Sequence, residues 1–179
     1  RTGYTGEDGV ELYIPNALCA KLWDAVTKAG AKYDMQLIGL GARDSLRLEM
    51  KMALYGNDIN DTTSPVEAGL SWIVNFDKDF IGADTIKRHK EEKPSRRLVC
   101  LELEGKAFPR QGYDIIVADK VVGQLTSGTF SPSIEKPIAL GYLPKGSTKI
   151  GSEVEVEIRN KRFKATVVKP PFYKNGSHR

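Results

Sequence analysis

The sequence predicts an α+β fold, in which a mixed α/β half is followed by an all-β half. In the first half, apolar residues recur at helical spacing. In the second half, about six short strand-like segments are separated by turn residues, and no helical pattern intervenes. The hydrophobic period changes at Lys93-Pro94-Ser95, which is the best linker candidate. We therefore expect one unit at residues 1–92 and a second at residues 95–179.

The first half is predicted to contain two strands and three helices. Alternating apolar and polar residues predict a strand at Val10–Ile14. Asn16 is a suitable N-cap for the helix that follows, and Gly30 ends that helix. The later patterns predict, in order, a helix at 40–50, a strand at Leu70–Phe76 and a helix at Ala83–Lys90.

The second half reads as a small barrel or sandwich. Its strands are predicted at 98–103, 115–118, 121–125, 139–143, 154–158 and 163–168. Asn160-Lys161 is predicted to form the tight turn between the last two strands.

The charge distribution excludes one class of partner. Residues 1–90 carry 11 basic and 13 acidic side chains, whereas residues 91–179 carry 16 and 10. Basic and acidic residues alternate along 153–164, as on the solvent faces of strands, and no basic and aromatic stripe is present. We therefore expect no nucleic-acid partner. An acidic small molecule or an acidic partner protein suits this mild positive field.

The cysteines and the hydropathy pattern point to a soluble, reduced protein. Cys19 and Cys100 lie far apart and outside any metal-ligand spacing, so we expect two free thiols and no metal site. No run of about 18 apolar residues is present, so no membrane association is expected.

The opening stretch of the chain contains a candidate site. Gly6-Glu7-Asp8-Gly9 is compatible with an ordinary hairpin loop, because Asp-Gly is a strong turn pair. Glu11 is more informative, since strand alternation places it opposite Val10 and Leu12. If those two face the core, the Glu11 carboxylate faces solvent or a cleft, where it can accept two parallel hydrogen bonds from a ligand. Tyr4 could supply an aromatic wall or a hydroxyl to that cleft.

A second candidate lies in the helix predicted at 40–50. Arg43 and Arg47 are spaced i, i+4 and share one helix face. Arg43 could pair with a surface carboxylate, while Asp44 favours the first helical turn through the helix dipole. An arginine beside a glycine-rich helix start could instead bind an anionic group. Both interpretations stay open, and no P-loop, HExxH, paired CxxC or dinucleotide-binding motif is present.

Seven motifs occur in one order along the chain. They are GYTGEDGVE from Gly3, GLGARDSLRLE from Gly39, LYGND from Leu54, SPVE from Ser64, DFIG from Asp79, TSGTFSPS from Thr126 and ALGY from Ala139. Together they closely resemble the T-protein of the glycine cleavage system, the tetrahydrofolate-dependent aminomethyltransferase. The resemblance extends through essentially all 179 residues.

The resemblance implies both a fold and an extent. In this family a folate-binding region of intertwined α/β subdomains precedes a Greek-key β-barrel. Residues 1–92 would be the second half of the α/β folate-binding domain, and residues 95–179 the small all-β barrel. Family members are roughly twice as long, so we expect a C-terminal fragment. Because the aspartate regarded as essential for catalysis would lie in the missing part, no catalytic residue is expected here and the fragment alone is expected to be inactive.

The resemblance also assigns folate-binding residues. Glu11 matches the glutamate that binds the pterin ring, and Tyr4 matches a tyrosine of the same pocket. Arg43 matches an arginine that lines the folate site. Trp72 and Arg110 are expected at the aminobenzoyl-glutamate tail. The pattern fails at Met52, where some relatives have a tyrosine that contacts folate.

The implied reaction transfers a group from a partner protein. The T-protein takes the aminomethyl group from the lipoyl arm of the H-protein, releases ammonia and forms 5,10-methylenetetrahydrofolate. The expected compartment is the bacterial cytoplasm or the mitochondrial matrix, and the basic patch at Lys161 and Arg162 is a candidate for docking an acidic H-protein. The alternatives are other folate-binding relatives (the C-terminal region of dimethylglycine or sarcosine dehydrogenases, or a tRNA-modifying homologue) and an inactive pair of domains that binds a partner.

Overall fold

The computed structural model describes residues 2–177 and confirms the α+β class. Within that range the first half contains the helices α1 (Cys19–Gly30), α2 (Leu40–Glu49) and α3 (Ala83–Glu92), together with short 3₁₀ turns at Asn16–Leu18, Ala31–Tyr33 and Ser71–Ile73. The second half contains the strands β1 (Arg96–Leu103), β2 (Asp114–Val117), β3 (Lys120–Ser131), β4 (Lys136–Pro144), β5 (Glu153–Ile158) and β6 (Lys161–Val168). Each strand predicted after Ser95 is therefore present.

The six strands close into an antiparallel barrel in the order β1-β4-β3-β2-β5-β6. β2, β3 and β4 form a meander, and β4 returns to lie beside β1, which is the expected Greek-key arrangement. β6 pairs with both β5 and β1 and thereby closes the barrel. The interior is filled with apolar side chains, among them Leu101, Ile115, Leu125 and Val156.

A second apolar cluster joins the two halves of the chain. Strand β4 is buried continuously from 137 to 143, because one face points into the barrel and the other is covered from outside. Leu48 of α2 and Phe172 near the C-terminus pack with Leu140 and Tyr142 on this outer face. The cluster fixes α2 against the barrel wall.

The turn between β5 and β6 lies one residue earlier than predicted. Arg159 and Asn160 are the two left-handed residues, with φ of 49° and 61°, and Lys161 already pairs with Ile158. Two consecutive residues of positive φ form the type I′ turn, whose twist matches that of the flanking strands.

The prediction of two strands in the first half is wrong. Val10–Ile14 has no regular secondary structure, and Leu70–Phe76 contains the 3₁₀ turn Ser71–Ile73 instead. A strand needs a hydrogen-bonded neighbour, and within residues 2–177 no other segment pairs with Val10–Ile14. Val10 and Leu12 are 66% and 59% exposed, so the face predicted to be inward is not buried.

Helix α1 confirms the predicted helix but leaves its apolar face uncovered. It ends at Gly30 as predicted, whereas Asn16 makes no capping hydrogen bond and Leu18 takes the cap position. No residue of α1 is buried, and Trp23 is 58% exposed. Other large apolar side chains of the first half are also exposed, namely Tyr13, Leu37, Ile38, Leu40, Trp72 and Ile81. The first half therefore exposes many large apolar side chains.

Three further findings bear on the predicted chemistry. Cys19 is exposed, Cys100 is buried, and both thiols are free. Between residues 2 and 177, no helix is long and apolar enough to cross a bilayer. Nor does that part of the chain bring together three or more His, Cys, Asp or Glu side chains that could hold a metal ion.

Candidate functional site

Tyr4 anchors the loop Gly3–Gly9 through contacts with Ala53 and Arg43. The Tyr4 hydroxyl donates a hydrogen bond to the carbonyl oxygen of Ala53 at 2.6 Å. Helix α2 begins at Leu40 and presents Arg43 from its first turn, so that the guanidinium lies 4.6 Å from the centre of the Tyr4 ring. Burial raises the pKa of the Tyr4 phenol.

This loop forms a wall of an open cleft of about 300 Å³. Met52, in the connection after α2, lies in another wall of the same cleft. Gly6 adopts a φ of +73°, and a Cβ atom built on it would lie 2.5 Å from Met50 Cγ. A glycine is therefore needed at this position, both for its backbone conformation and for the close approach of Met50.

Glu11 follows the loop and is fully available to a ligand. Its side chain is exposed and forms no hydrogen bond or ion pair with any other residue of the described range. Because the predicted strand is absent, strand alternation does not set its direction. Its proposed role in pterin binding stays a prediction.

Trp72 and Arg110 lie on other parts of the surface. Trp72 is 82% exposed, on the 3₁₀ turn Ser71–Ile73. Arg110 donates hydrogen bonds to the carbonyl oxygens of Pro109 and Gly128, and it lines a different cleft of about 390 Å³ on the barrel. Within residues 2–177 the structure brings Tyr4 and Arg43 into contact, but no hydrogen bond, ion pair or ring contact joins the other three candidates to them.

Arg43 and Arg47 were predicted to share one helix face, but their side chains lie in different environments. Arg47 is 1% exposed, whereas Arg43 is exposed at the loop. Arg47 donates to Asp44 at 2.8 Å, to Asp58 at 2.6 Å and to Ser127 at 2.9 Å. Burial lowers the pKa of the Arg47 guanidinium, but the hydrogen bonds and charges of Asp44 and Asp58 outweigh it and leave the pKa raised.

Asp58 is the acceptor at the centre of this network. Its carboxylate also accepts from the amide of Leu54 at 2.9 Å and from the Thr126 hydroxyl at 2.5 Å. Its carbonyl oxygen accepts from the Tyr142 hydroxyl at 2.8 Å. One acidic residue, through its carboxylate and its backbone carbonyl, thus joins the end of the LYGND motif to strands β3 and β4 of the barrel.

Glu49 makes a second buried link between α2 and the barrel. Its carboxylate accepts from the hydroxyls of Ser131 and Ser133 at 2.5 and 2.7 Å and from the Ser133 amide at 3.1 Å. No buried side-chain nitrogen or oxygen of the described residues lacks a hydrogen-bond partner. Sequence reasoning missed both links. The only signal was that Asp58, Ser127, Ser131 and Glu49 all belong to the seven ordered motifs.

The sequence matches two family models in the same order as the two halves of the structure. Residues 1–78 match the GCVT N-terminal domain, and residues 96–174 match the glycine cleavage T-protein C-terminal barrel domain. The chain belongs to the glycine cleavage T-protein family.

Relatives of this T-protein chain are similar to it over almost its whole length. The aminomethyltransferase of Symbiobacterium thermophilum is 49% identical over 181 residues, which cover 100% of this chain and 48% of the relative. The aminomethyltransferase of Synechococcus elongatus is 48% identical over 181 residues, which again cover 100% of this chain and 48% of the relative. The crystal structure of glycine cleavage system aminomethyltransferase T from Bartonella henselae matches with a TM-score of 0.90 at 36% identity, covering 97% of this chain and 49% of that one. The chain therefore spans about half the length of the relatives it matches.

The comparisons confirm the T-protein resemblance and the C-terminal barrel. The two family matches leave residues 79–95 between them, a stretch that contains α3 and the predicted linker. The domain boundary between residues 92 and 95 and the folate-binding roles of Tyr4, Glu11, Arg43, Trp72 and Arg110 stay predictions.

Proposed function

We propose that this chain is the C-terminal part of a tetrahydrofolate-dependent aminomethyltransferase of glycine cleavage. The complete enzyme takes the aminomethyl group from the lipoylated H-protein, releases ammonia and forms 5,10-methylenetetrahydrofolate. The observation that carries the proposal is the contact between Tyr4 and Arg43 beside the open cleft, in a chain that belongs to the T-protein family. Both residues were assigned to the folate site by resemblance, and they meet at one place.

The residues assigned to the site by resemblance suit a reduced folate. The pterin ring presents a ring N–H and an exocyclic amino group side by side, and the free carboxylate of Glu11 can accept from both. The cleft volume of about 300 Å³ is at the lower end of the range for small-molecule sites. This fits a site of which only one side is supplied by this chain. Trp72 and Arg110 remain candidates for the tail of the folate.

The chain's own contribution to the reaction is binding and orientation. Tetrahydrofolate supplies the amine that receives the one-carbon unit. Glu11 would fix the ring, while Tyr4, held by Ala53 and Arg43, would form a rigid wall beside it. Correct placement of the reacting atoms and exclusion of water from the electrophilic carbon are the two effects this geometry can provide. We assign no catalytic acid or base to this chain.

The uncovered apolar surface supports a larger protein. Helix α1 buries none of its residues, and Trp23 and Trp72 are largely exposed. The relatives of this chain are about twice as long as it is. We infer that the part of those relatives that has no counterpart here covers this surface, completes the folate site and supplies the catalytic aspartate.

We propose a surface other than Lys161 and Arg162 for the H-protein contact. Arg162 forms ion pairs with Asp119 at 2.5 Å and with Glu155 at 3.3 Å, so this surface is of mixed charge. A cleft of about 340 Å³ at the junction of the two halves is lined instead by five basic residues, Lys90, Lys93, Arg96, Arg97 and Lys145. We propose that this cleft, called the basic cleft below, receives an acidic surface of the H-protein.

The basic cleft has unpaired positive charge. Arg96 is paired with Glu67 at 3.0 Å, and the Lys90 ammonium lies 3.8 Å from the centre of the Phe76 ring. Lys93, Arg97 and Lys145 form no ion pair with any residue between 2 and 177. These three side chains are therefore free to pair with carboxylates of a partner.

The proposal is tested by completing the protein. The N-terminal part of the Symbiobacterium thermophilum relative is joined to this chain, and the product is supplied with aminomethylated H-protein and tetrahydrofolate. We expect H-protein-dependent formation of methylenetetrahydrofolate and release of ammonia, and neither from this chain alone. A completed protein that folds and binds folate but forms no product would contradict the transferase assignment.

A further inference from the structure

After the barrel, a C-terminal tail (Phe172–Ser177) runs back across α2. Phe172 is buried in the outer cluster with Leu48 of α2, and the Tyr173 amide donates to the carbonyl oxygen of Glu49 at 3.1 Å. The start of the tail is thus fixed to the same helix that presents Arg43.

The end of the tail is bound to the loop Gly3–Gly9. The Ser177 amide donates to Glu7 Oε2 at 2.9 Å, and the Ser177 hydroxyl donates to the same oxygen. That hydroxyl in turn accepts from the Asp8 amide at 2.8 Å. A single serine therefore makes three hydrogen bonds to two consecutive loop residues, using both its donor and its acceptor capacity.

Gly176 permits this close approach. It is buried, and a Cβ atom built on it would lie 2.5 Å from the carbonyl oxygen of Gly6. The obstacle is backbone, which cannot move aside as a flexible side chain can. Any larger residue would push the tail off the loop.

We propose that the C-terminal tail is a positioning element for the loop Gly3–Gly9, with Ser177 and Gly176 as its positioning residues. The loop is held at two points. Tyr4 is bound to Ala53 and Arg43 on one side, and Glu7 and Asp8 are bound by Ser177 on the other. As far as it concerns folate, this inference rests on the proposed function.

The physical reason is the glycine content of the loop. Gly3, Gly6 and Gly9 give this segment of seven residues large conformational freedom when it is unrestrained. A ligand that binds against a mobile loop must order it, and that ordering weakens affinity. Because the tail orders the loop in advance, the cleft wall exists before a ligand arrives. The hydrogen bonds from Ser177 also lower the pKa of the Glu7 carboxyl, as expected for a bound carboxylate.

The loop contact is tested by amide hydrogen exchange in this chain. In Ser177→Ala the Asp8 amide loses its acceptor, and we expect its exchange to accelerate about five- to tenfold, the effect of one hydrogen bond of ordinary net strength. Gly176→Ala should produce at least the same acceleration by displacing the tail. Ser147→Ala is the matched control, because that hydroxyl, in the β4–β5 connection, makes no hydrogen bond within the described range. Amides of β4 should exchange alike in all four proteins.

Unchanged Asp8 exchange in both tail variants would overturn the inference. The folate arm uses the completed protein described above, titrated with tetrahydrofolate. We expect Ser177→Ala to raise KM for tetrahydrofolate about threefold to tenfold and to leave kcat unchanged, since the tail orders a wall and does not touch reacting atoms. Faster Asp8 exchange with an unaltered KM would overturn the link to folate binding. A failure of the proposed function is distinct, because the unsubstituted completed protein would then not turn over at all.

Discussion

Arg47 of α2 and Asp58 form a buried ion pair at 2.6 Å, with side chains 1% and 0% exposed. The Asp58 carboxylate also accepts hydrogen bonds from the Leu54 amide and the Thr126 hydroxyl, and Arg47 donates one to the Ser127 hydroxyl, so neither charge is left without partners. It joins the segment that holds Tyr4 and Met52 to the barrel. The geometry of the candidate site therefore depends on a contact that lies outside it.

Replacing Arg47 by leucine should destabilise the protein strongly. Asp58 would keep a buried carboxylate whose charge is no longer compensated, and removal of one member of a buried pair typically destabilises by about 3–5 kcal/mol. The free energy of unfolding is measured by chemical denaturation. In the double variant with Asp58→Asn much of this loss should be recovered, because the uncompensated charge is gone.

Arg162→Leu is the matched control for that measurement. Arg162 is also surrounded by carboxylates, but on an exposed surface where water screens the charges. Its substitution should leave the midpoint of unfolding almost unchanged. A similar loss of stability in the two arginine variants would show that burial of the Arg47 pair is not what matters.

Alkaline pH should destabilise the fold through Cys100 and Tyr142. Burial raises the pKa of the Cys100 thiol from 9.0 to about 12 and that of the Tyr142 phenol from 10.0 to about 12. Because the unfolded chain loses these protons first, the contribution to stability is complete below about pH 9 and disappears as the pH rises towards 12. Each group adds up to about 1.4 kcal/mol per pH unit to the slope.

The slope of the unfolding free energy against pH distinguishes the contribution of Cys100 from that of Tyr142. Unfolding free energies measured at several values between pH 8 and 11 should decline less steeply in Cys100→Ala than in the unsubstituted protein. Cys19→Ala, at the exposed thiol, is the matched control. Equal slopes in all three proteins would mean that the Cys100 thiol does not titrate differently on unfolding.

The barrel could be predicted from sequence because its pattern is local. Segments such as 154–158 alternate apolar and polar residues, and the structure buries Val154, Val156 and Ile158 inside the barrel. Val10–Ile14 shows the same alternation but does not form a strand, because no partner for it is present in the described chain. A local sequence pattern shows that a segment can form a strand, whereas strand formation also requires a neighbouring segment with which it can pair.

The buried network could not be predicted for a related reason. Arg43 and Arg47 lie one turn apart on the same helix, yet one is exposed and the other is enclosed. Which of them is enclosed depends on where the barrel docks against α2. The contact between Arg47 and Ser127 spans 80 residues and leaves no trace in spacing. Similarly, the resemblance assigned Tyr4 and Arg43 to the folate site, but it did not predict that the Arg43 guanidinium lies over the Tyr4 ring.

Charge reversal in the basic cleft should weaken binding of the H-protein. Lys93→Glu and Lys145→Glu each replace an unpaired cation that would meet partner carboxylates, so we expect the Kd of the completed protein to rise about tenfold and its salt dependence to fall. Titrations at two ionic strengths measure both. Lys161→Glu changes the net charge equally but lies on the mixed surface beside Arg162, and it should have little effect. A larger effect of Lys161→Glu would restore that patch as the docking site.

Glu11 provides the sharpest test of the folate site. In the completed protein, Glu11→Ala should weaken tetrahydrofolate binding by about 2–4 kcal/mol, because two pterin donors would be left without an acceptor in the enclosed site. Glu11→Gln retains one acceptor and should lose less, since an amide can accept from one donor but its own N–H group faces the other. Calorimetric titration gives the affinities, and Glu153→Ala, an exposed glutamate on β5, serves as the matched control. Equal affinities for Glu11→Ala and the unsubstituted protein would remove Glu11 from the site.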